Sequence, residues 1–254
     1  KVIVLIGASG LLGRKYADGF CQSGANVALC DINYAECKKL KCELEKKYDT
    51  KILAIHVDIT DQNSVRKMTR KIMSEFSRID VLVNNAIFPE GRKERSIPFE
   101  KFPTSLLNKI ISVNVNGVIL CCQHIGKIMK KQRAGVIINV SSIYGLVAAD
   151  QRIYGDSGLN STVAYAITKS AILNLTRYLA SYWNKTGIRV NSISLGGVES
   201  CQDSEFIKKY SQKTMLGRMA RTDEYVGSIL YLASDASSYM TGSNLVVDGG
   251  WTAW

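Results

Sequence analysis

VIVLIGASGLLG, residues 2–13, decides the fold. Five consecutive apolar, mostly β-branched residues are of buried-strand length, and the glycines that follow break the run before an amphipathic stretch from Leu11 to Gln22. Gly7, Gly10 and Gly13 thus sit between a strand and a helix as G-x-x-G-x-x-G. A turn without side chains lets backbone N–H groups approach a pyrophosphate, and the helix start favours its negative charge. The same triplet also suits any tight strand-to-helix turn, so its neighbours have to settle the reading. Asp31 closes the next apolar run, Val27–Cys30, eighteen residues past Gly13. An acidic side chain there can bond both ribose hydroxyls and repels a 2′-phosphate, which favours NAD over NADP, with Arg14 offsetting part of that repulsion.

The alternation continues along the chain. Ile52–Val57, Val81–Asn84, Val136–Val140, Arg189–Ser194 and Asn244–Val247 read as strands. Tyr34–Tyr48, Asn63–Phe76, Thr104–Lys131, Val163–Trp183 and Glu224–Ala233 read as helices. Strands apolar on both faces and separated by helices imply an α/β fold: a single doubly wound Rossmann domain, residues 1–254, with a mostly parallel seven-stranded sheet. There is no internal repeat and no low-complexity linker. The irregular stretches Phe88–Pro103, Tyr144–Ser161 and Gly196–Thr222 follow strands at their carboxyl ends, where ligands bind in such sheets.

Composition excludes other classes. The 254 residues carry a net charge of +11 and only three prolines, unlike a disordered chain. The basic excess falls in helix-like segments such as Lys38–Lys51 and Arg66–Arg78, interleaved with glutamates, and reads as solvated surface; steering of an anionic ligand is the second reading. Nothing suggests nucleic-acid binding. No apolar run approaches the roughly 18 residues that cross a bilayer, so no membrane segment is expected. No signal peptide is read, and a start at Lys1 leads to the expectation that residues precede it. Seven irregularly spaced cysteines without a C-x-x-C pair, and two distant histidines, argue against a metal site and fit reduced thiols in a cytoplasm.

Two further groups carry chemistry. Asp58, after the third strand, either accepts from an adenine amino group or caps the following helix. The amides of Asn84-Asn85-Ala86 can pin neighbouring strands while a cofactor passes closely. Tyr165 and Lys169, at i and i+4, project from one helix face, and a nearby ammonium favours the phenolate. Ser141 and Ser142 end the strand Val136–Val140, and Asn114 lies in the long helix, where its amide can bend the helix and hold a water.

GASGLLG, Asp58, NNA at Asn84, VNVNG at Asn114, INVSS, Tyr165-x-x-x-Lys169, RVNSIS and LVVDGG, in that order, make the sequence resemble the short-chain dehydrogenase/reductase family, in its single-domain branch. The resemblance implies an NAD(H)-dependent oxidoreductase acting on a secondary alcohol or ketone. Tyr165 would be the acid/base, Ser142 would polarise the substrate oxygen, Lys169 would bind the nicotinamide ribose, and Asn114 would hold a water of the proton relay. It further implies cofactor contacts at Gly7, Ser9, Gly10, Leu12, Gly13, Asp31, Asp58, Ile59, Asn85, Ala86, Tyr165, Lys169, Gly196 and Val198, and a homotetramer or homodimer.

Four positions depart from the family pattern. Ile6 replaces a threonine and the glycine spacing is that of the longer, nucleotide-sugar-modifying branch; Ile87 replaces a glycine; Leu195-Gly196 replaces Pro-Gly. Finally, Ser142 and Tyr165 lie 23 residues apart, more than the family commonly shows. The extra segment lies within YGLVAADQRIYGDSGLNS, residues 144–161. It reads as a substrate wall, with Tyr144, Arg152, Tyr154 and the nearby Gly197 as candidate contacts, or as a surface loop or subunit contact. A wall of that composition suits a sugar or nucleotide-sugar derivative as the small-molecule substrate. The chain looks like the oxidoreductases of bacterial surface-glycan and flagellin-modification pathways. A sugar-nucleotide epimerase or dehydratase and a non-catalytic NAD-binding regulator are the alternatives. Tyr178, Tyr182 and Trp183 read as core or subunit contact, His124 as a packed residue, the ending DGGWTAW as an interface segment, and Glu199, Ser200 and Asp203 as helix caps or substrate contacts.

Overall fold

Alternate residues of the first strand face opposite ways, and each set has its own partners. In the computed structural model, which describes residues Lys1–Trp254, β1 (Val2–Ile6) leads through α1 (Leu11–Gln22), β2 (Asn26–Asp31), α2 (Tyr34–Glu45), β3 (Ile52–His56) and α3 (Gln62–Phe76) to β4 (Val81–Asn84). A short turn of helix, α4 (Arg92–Arg95), precedes α5 (Thr104–Ile111) and α6 (Val118–Gln132), with a π turn at Ser112–Gly117 between the last two. Then come β5 (Gly135–Ser142), α7 (Val163–Tyr182), β6 (Ile188–Leu195), α8 (Ser204–Ser211), α9 (Val226–Ala233) and β7 (Asn244–Val247). The strands form one sheet in the order β3-β2-β1-β4-β5-β6-β7, every pairing parallel.

Ile3 and Leu5 join Val27, Leu29, Val81 and Val83 under α1, α2 and α9, whose contributions include Phe20, Leu40 and Leu232. Val4 and Ile6 join Ala28, Cys30, Leu82 and Ile137 under α3, α6 and α7, through Met68, Ile125 and Ile172. Strands apolar on both faces are what such a two-sided cover requires. The sequence-read elements reappear with ends unchanged or displaced by up to three residues. Two differences have a local cause. The long helix divides at the π turn around Asn114, and the last helix starts at Val226 because Asp223–Tyr225 form turns. The helical run Thr104–Gln132 is also, by length and composition, apolar enough to cross a bilayer, contrary to the expectation of no such run. Its polar residues interrupt each continuous apolar stretch while leaving the average high. Val118, Cys121, Cys122, Ile125 and Met129 of that run pack in the core beneath the sheet.

A buried polar ladder locks the middle of the sheet to α7. Asn84 Nδ2 donates to Asn139 Oδ1 at 2.8 Å, and Asn139 Nδ2 donates to Thr176 Oγ1 at 2.9 Å. Asn139 is fully buried, so its removal strands donors and acceptors away from water. Asn139→Ala is expected to lower unfolding free energy by roughly 1–3 kcal/mol. Urea titration would show a lower midpoint at an unchanged slope; a midpoint equal to wild type would mean the ladder contributes nothing.

Candidate active site

The glycine turn is fixed by what lies beneath it. Gly7 has φ +79°, and a Cβ there would stand 2.6 Å from both N and Cα of Ala86, at the end of β4. A Cβ on Gly13 would stand 2.2 Å from the Gly7 carbonyl, so α1 presses directly on the turn. Gly10 is different: it is exposed, and its nearest neighbour would be 3.6 Å from an added Cβ. It is the N-cap residue of α1, with no side-chain cap and no acidic residue in the first turn. The first N–H groups of α1 are thereby open to an anion. Leu12 lines the cavity beside them.

Asp31, at the end of β2, accepts from Ser9 N–H at 2.9 Å and from Asn33 N–H at 3.0 Å. The carboxylate and the glycine turn therefore hold each other. Arg14 is bound to Glu36, lies 3.9 Å from Glu43, and donates to the Ser9 carbonyl. Asp58 accepts from both the amide and the hydroxyl of Thr60, at 2.8 and 2.7 Å. It does not cap α3; Asp61 does, one turn later, accepting from Asn63 and Ser64. Ile59 turns into the core against the bare face of Gly117, leaving its backbone, not its side chain, at the sheet edge. Asn85 Nδ2 donates to the Gly7 carbonyl at 2.9 Å. Gly196 packs against Asp248, and Val198 bridges to Ala220.

Of these, Leu12, Asn85, Gly196 and Val198 border a cavity of about 430 Å³ at the carboxyl edge of the sheet, into which Ser142, Tyr165 and Lys169 all open. Lys169 is buried and donates to the Val140 carbonyl at 2.9 Å, with its Nζ 5.7 Å from the Tyr165 ring centre. Burial alone pushes its ammonium down to about 8. Tyr165 goes the other way. Burial raises its phenol above the ordinary 10.0, and the Ser142 hydroxyl beside it pulls it partly back. The expectation that the ammonium would set the phenol low is therefore corrected: burial dominates, and Lys169, its own ammonium lowered by burial, is turned toward the Val140 carbonyl. Asn114, in the π turn, is tied on both sides of its amide. Its Oδ1 accepts from Phe88 N–H at 2.7 Å and its Nδ2 donates to Thr168 Oγ1 at 3.2 Å, so its amide braces α7 and the loop after β4.

Of the four candidate substrate contacts, Tyr144, Tyr154 and Gly197 line the cavity. Arg152 does not. Its side chain is 83% exposed and pairs with Asp150 two residues away, which also holds Lys213. Tyr144 stands edge-on to Tyr165 at 6.3 Å, and Tyr210 stacks on Trp251 at 4.3 Å behind the cavity. Trp251, read from sequence as part of an interface segment, is thus buried behind the cavity wall, whereas Tyr178 and Tyr182 form an exposed stack on α7. Asp203 caps α8. His124 is half-buried, and burial with Arg66 and Lys127 nearby lowers its pKa.

Sequence reasoning passed over Glu90 and Arg95, which face the cavity from the loop after β4. Thr162, the N-cap of α7, donates its hydroxyl to Glu90 Oε1 and accepts from Tyr165 N–H. Burial raises the Glu90 carboxyl, with Thr162 and Arg95 pulling back. Gln202, Phe206 and Met219 complete the far side. An acidic residue in an otherwise irregular apolar stretch beside Pro89 was the available signal.

A family model described as enoyl-(acyl carrier protein) reductase matches residues 7–252. The chain is 32% identical over 251 residues to post-translational flagellin modification protein A of Campylobacter coli, covering 99% of this chain and 98% of that one. It is 35% identical over 258 residues to a sorbose reductase of Candida albicans, covering 99% and 87%. A solved short-chain dehydrogenase from Leptospira borgpetersenii with bound NAD+ superposes with TM-score 0.85 and 33% identity, over 99% of this chain and 92% of that one.

The buried ammonium has a consequence for stability. Its pKa is about 8 in the folded chain against an ordinary 10.5, so the unfolded chain binds more protons between those values and stability rises with pH across that window. The full difference is roughly 3 kcal/mol. Lys169→Met is expected to remove that rise, measured as urea unfolding free energies at pH 7.5 and pH 10.5. A variant whose pH dependence matched wild type would show the ammonium to be solvated.

Proposed function

The chain belongs to the short-chain dehydrogenase/reductase family, a family of NAD(P)-dependent oxidoreductases acting on CH–OH and C=O groups, and from that premise we propose that it transfers hydride between NAD(H) and a secondary alcohol or ketone of a sugar or nucleotide-sugar derivative. The observation that supports this most is the convergence of Tyr165, Ser142 and Lys169 on one cavity that is also lined by Leu12 of α1 and by Asn85. The nicotinamide, when bound, supplies the hydride chemistry. The residues fit such a group: the turn leaves the Gly10 side bare, and Asp31 is held beside the turn by Ser9 N–H.

Tyr165 then exchanges the proton with the substrate oxygen while Ser142 holds that oxygen by hydrogen bonding. In oxidation the phenol must first give up its proton. Because burial raises its pKa, alcohol oxidation climbs through the alkaline range and carbonyl reduction falls. Lys169 would turn its donor from the Val140 carbonyl to the nicotinamide-ribose hydroxyls of a bound cofactor. Asn114 positions α7 through Thr168. For NAD over NADP, the support is electrostatic. Asp31 would receive the adenosine-ribose hydroxyls, and Arg14, next to the glycine turn, is neutralised by Glu36 and Glu43.

The polar rim of Glu90, Arg95, Gln202 and three tyrosines suits a polyhydroxylated substrate, and a relative named for sorbose reduction is in keeping with it. The exposed Tyr178–Tyr182 stack supports self-association as a homodimer or homotetramer, and seven unpaired thiols support a reducing, cytoplasmic setting.

Two measurements test this reading. Tyr165→Phe is expected to lower kcat by about 10²–10⁴ with a panel of polyols, sugars and nucleotide sugars while NAD still binds; activity equal to wild type would sink the role given to Tyr165. Asp31→Ala is expected to shift the kcat/KM ratio toward NADP by at least about tenfold, since the carboxylate no longer repels the 2′-phosphate. An unchanged ratio would show that Asp31 serves only to anchor Ser9.

A further inference from the structure

The cations around the residue 144–161 segment are nearly all matched. Arg152 and Lys213 share Asp150, Lys209 pairs with Glu205, and Arg92 donates to the Ser157 carbonyl. Arg95 is the exception. It is the sole arginine on the cavity wall, and its guanidinium lies 5.3 Å from the ring centre of the buried Tyr154. No carboxylate or carbonyl of the chain takes a hydrogen bond from it. A guanidinium held over an aromatic face by cation–π attraction can still offer N–H groups to a bidentate acceptor. The backbone around it is also held: the Arg95 carbonyl accepts from Asn160 N–H at 2.7 Å, and Asn160 Nδ2 donates to the Ile97 carbonyl at 3.0 Å. Glu90 is near enough to feel its charge but forms no ion pair with it, its Oε1 being engaged with Thr162.

We propose that Arg95, held over the Tyr154 ring at the cavity wall, binds an oxyanion of the substrate, a carboxylate or phosphate carried by the same molecule whose carbinol reacts beside Tyr165. The inference rests on the cavity being the substrate site and adds what that substrate must carry. Glu90, on the α7 side, would take a hydroxyl donor of the same molecule, so the two charges orient it end to end.

The test uses three six-carbon probes, sorbitol, gluconate and sorbitol 6-phosphate, titrated calorimetrically into the enzyme saturated with NADH so that no turnover occurs. At low salt at least one anionic probe is expected to bind about tenfold more tightly than sorbitol, and the tighter of the two tells carboxylate from phosphate. The preference should shrink as sodium chloride is raised to about 0.5 M. R95M should bring the ratio close to one, and R95K should keep part of it, which a purely packing role on Tyr154 would not produce. A ratio near one in wild type, a ratio unchanged in R95M, or no binding of any probe overturns the proposal. NADH formation from NAD+ with the same probes separates it from the reading beneath it. Sorbitol oxidation without an anionic preference defeats Arg95 alone. An Arg95-dependent preference without any oxidation keeps the oxyanion site and defeats the polyol substrate.

Discussion

The close approach of the Gly7 turn to Ala86 is the constraint on which the carboxyl edge of this sheet depends. β1 and β4 are neighbours, but the chain leaves them in opposite directions, to α1 and to the loop that carries Glu90 and Arg95. At that divergence Gly7 touches the backbone of Ala86, and Asn85 bonds the Gly7 carbonyl. Any side chain at residue 7 would push the two loops apart. The glycine turn would then lose its register with Asp31, and the loop after β4 would lose its place over the cavity. One contact thus sets both the cofactor half and the substrate half of the site.

A second constraint works against stability. Lys169 is buried and Tyr165 half-buried, and each is driven toward its neutral form. Lys169 has only the dipole of the Val140 carbonyl beside it, and the pull of the Ser142 hydroxyl and of Arg95 on Tyr165 does not outweigh burial. Such an arrangement costs folding free energy and is the sort of conflict expected where function overrides local rules. The surrounding ties offset part of it: Thr162 caps α7 one turn before Tyr165, Asn114 holds Thr168, and Ser141 donates to the Lys169 carbonyl at 2.8 Å. The reactive pair is carried on a helix fixed at three points.

How much of this was legible follows from the range of the interactions involved. Strands and helices were readable because burial on both sheet faces leaves continuous apolar runs in sequence, as in Val2–Ile6 and Val81–Asn84. The glycine turn, Asp31, Ser142, Tyr165 and Lys169 were readable because each has a fixed place relative to such an element. Arg152 was misread because composition alone made it a polar candidate; its partner Asp150, two residues back, turns it to solvent. The direction of the Tyr165 shift was misread because i, i+4 spacing reports proximity and says nothing of desolvation, which here dominates. Glu90 and Arg95 were missed because their cavity faces exist only once two distant loops meet, and no periodicity marks that.

The meeting of those loops also explains why the long segment before α7 can be a wall at all. A segment of that length without regular structure would cost ordering entropy if it closed over the cavity only on binding. Here its ends and middle are already tied. Gln151 exchanges two hydrogen bonds with Ser161, Asn160 bonds the loop after β4 at two carbonyls, Asp150 holds Lys213, and Tyr154 packs on Phe206 of α8. The wall is pre-formed by three segments from three different crossovers, so selectivity need not be paid for by folding on the ligand. The few groups left without protein partners, the Arg95 guanidinium above all, are then those that the ligand itself must satisfy.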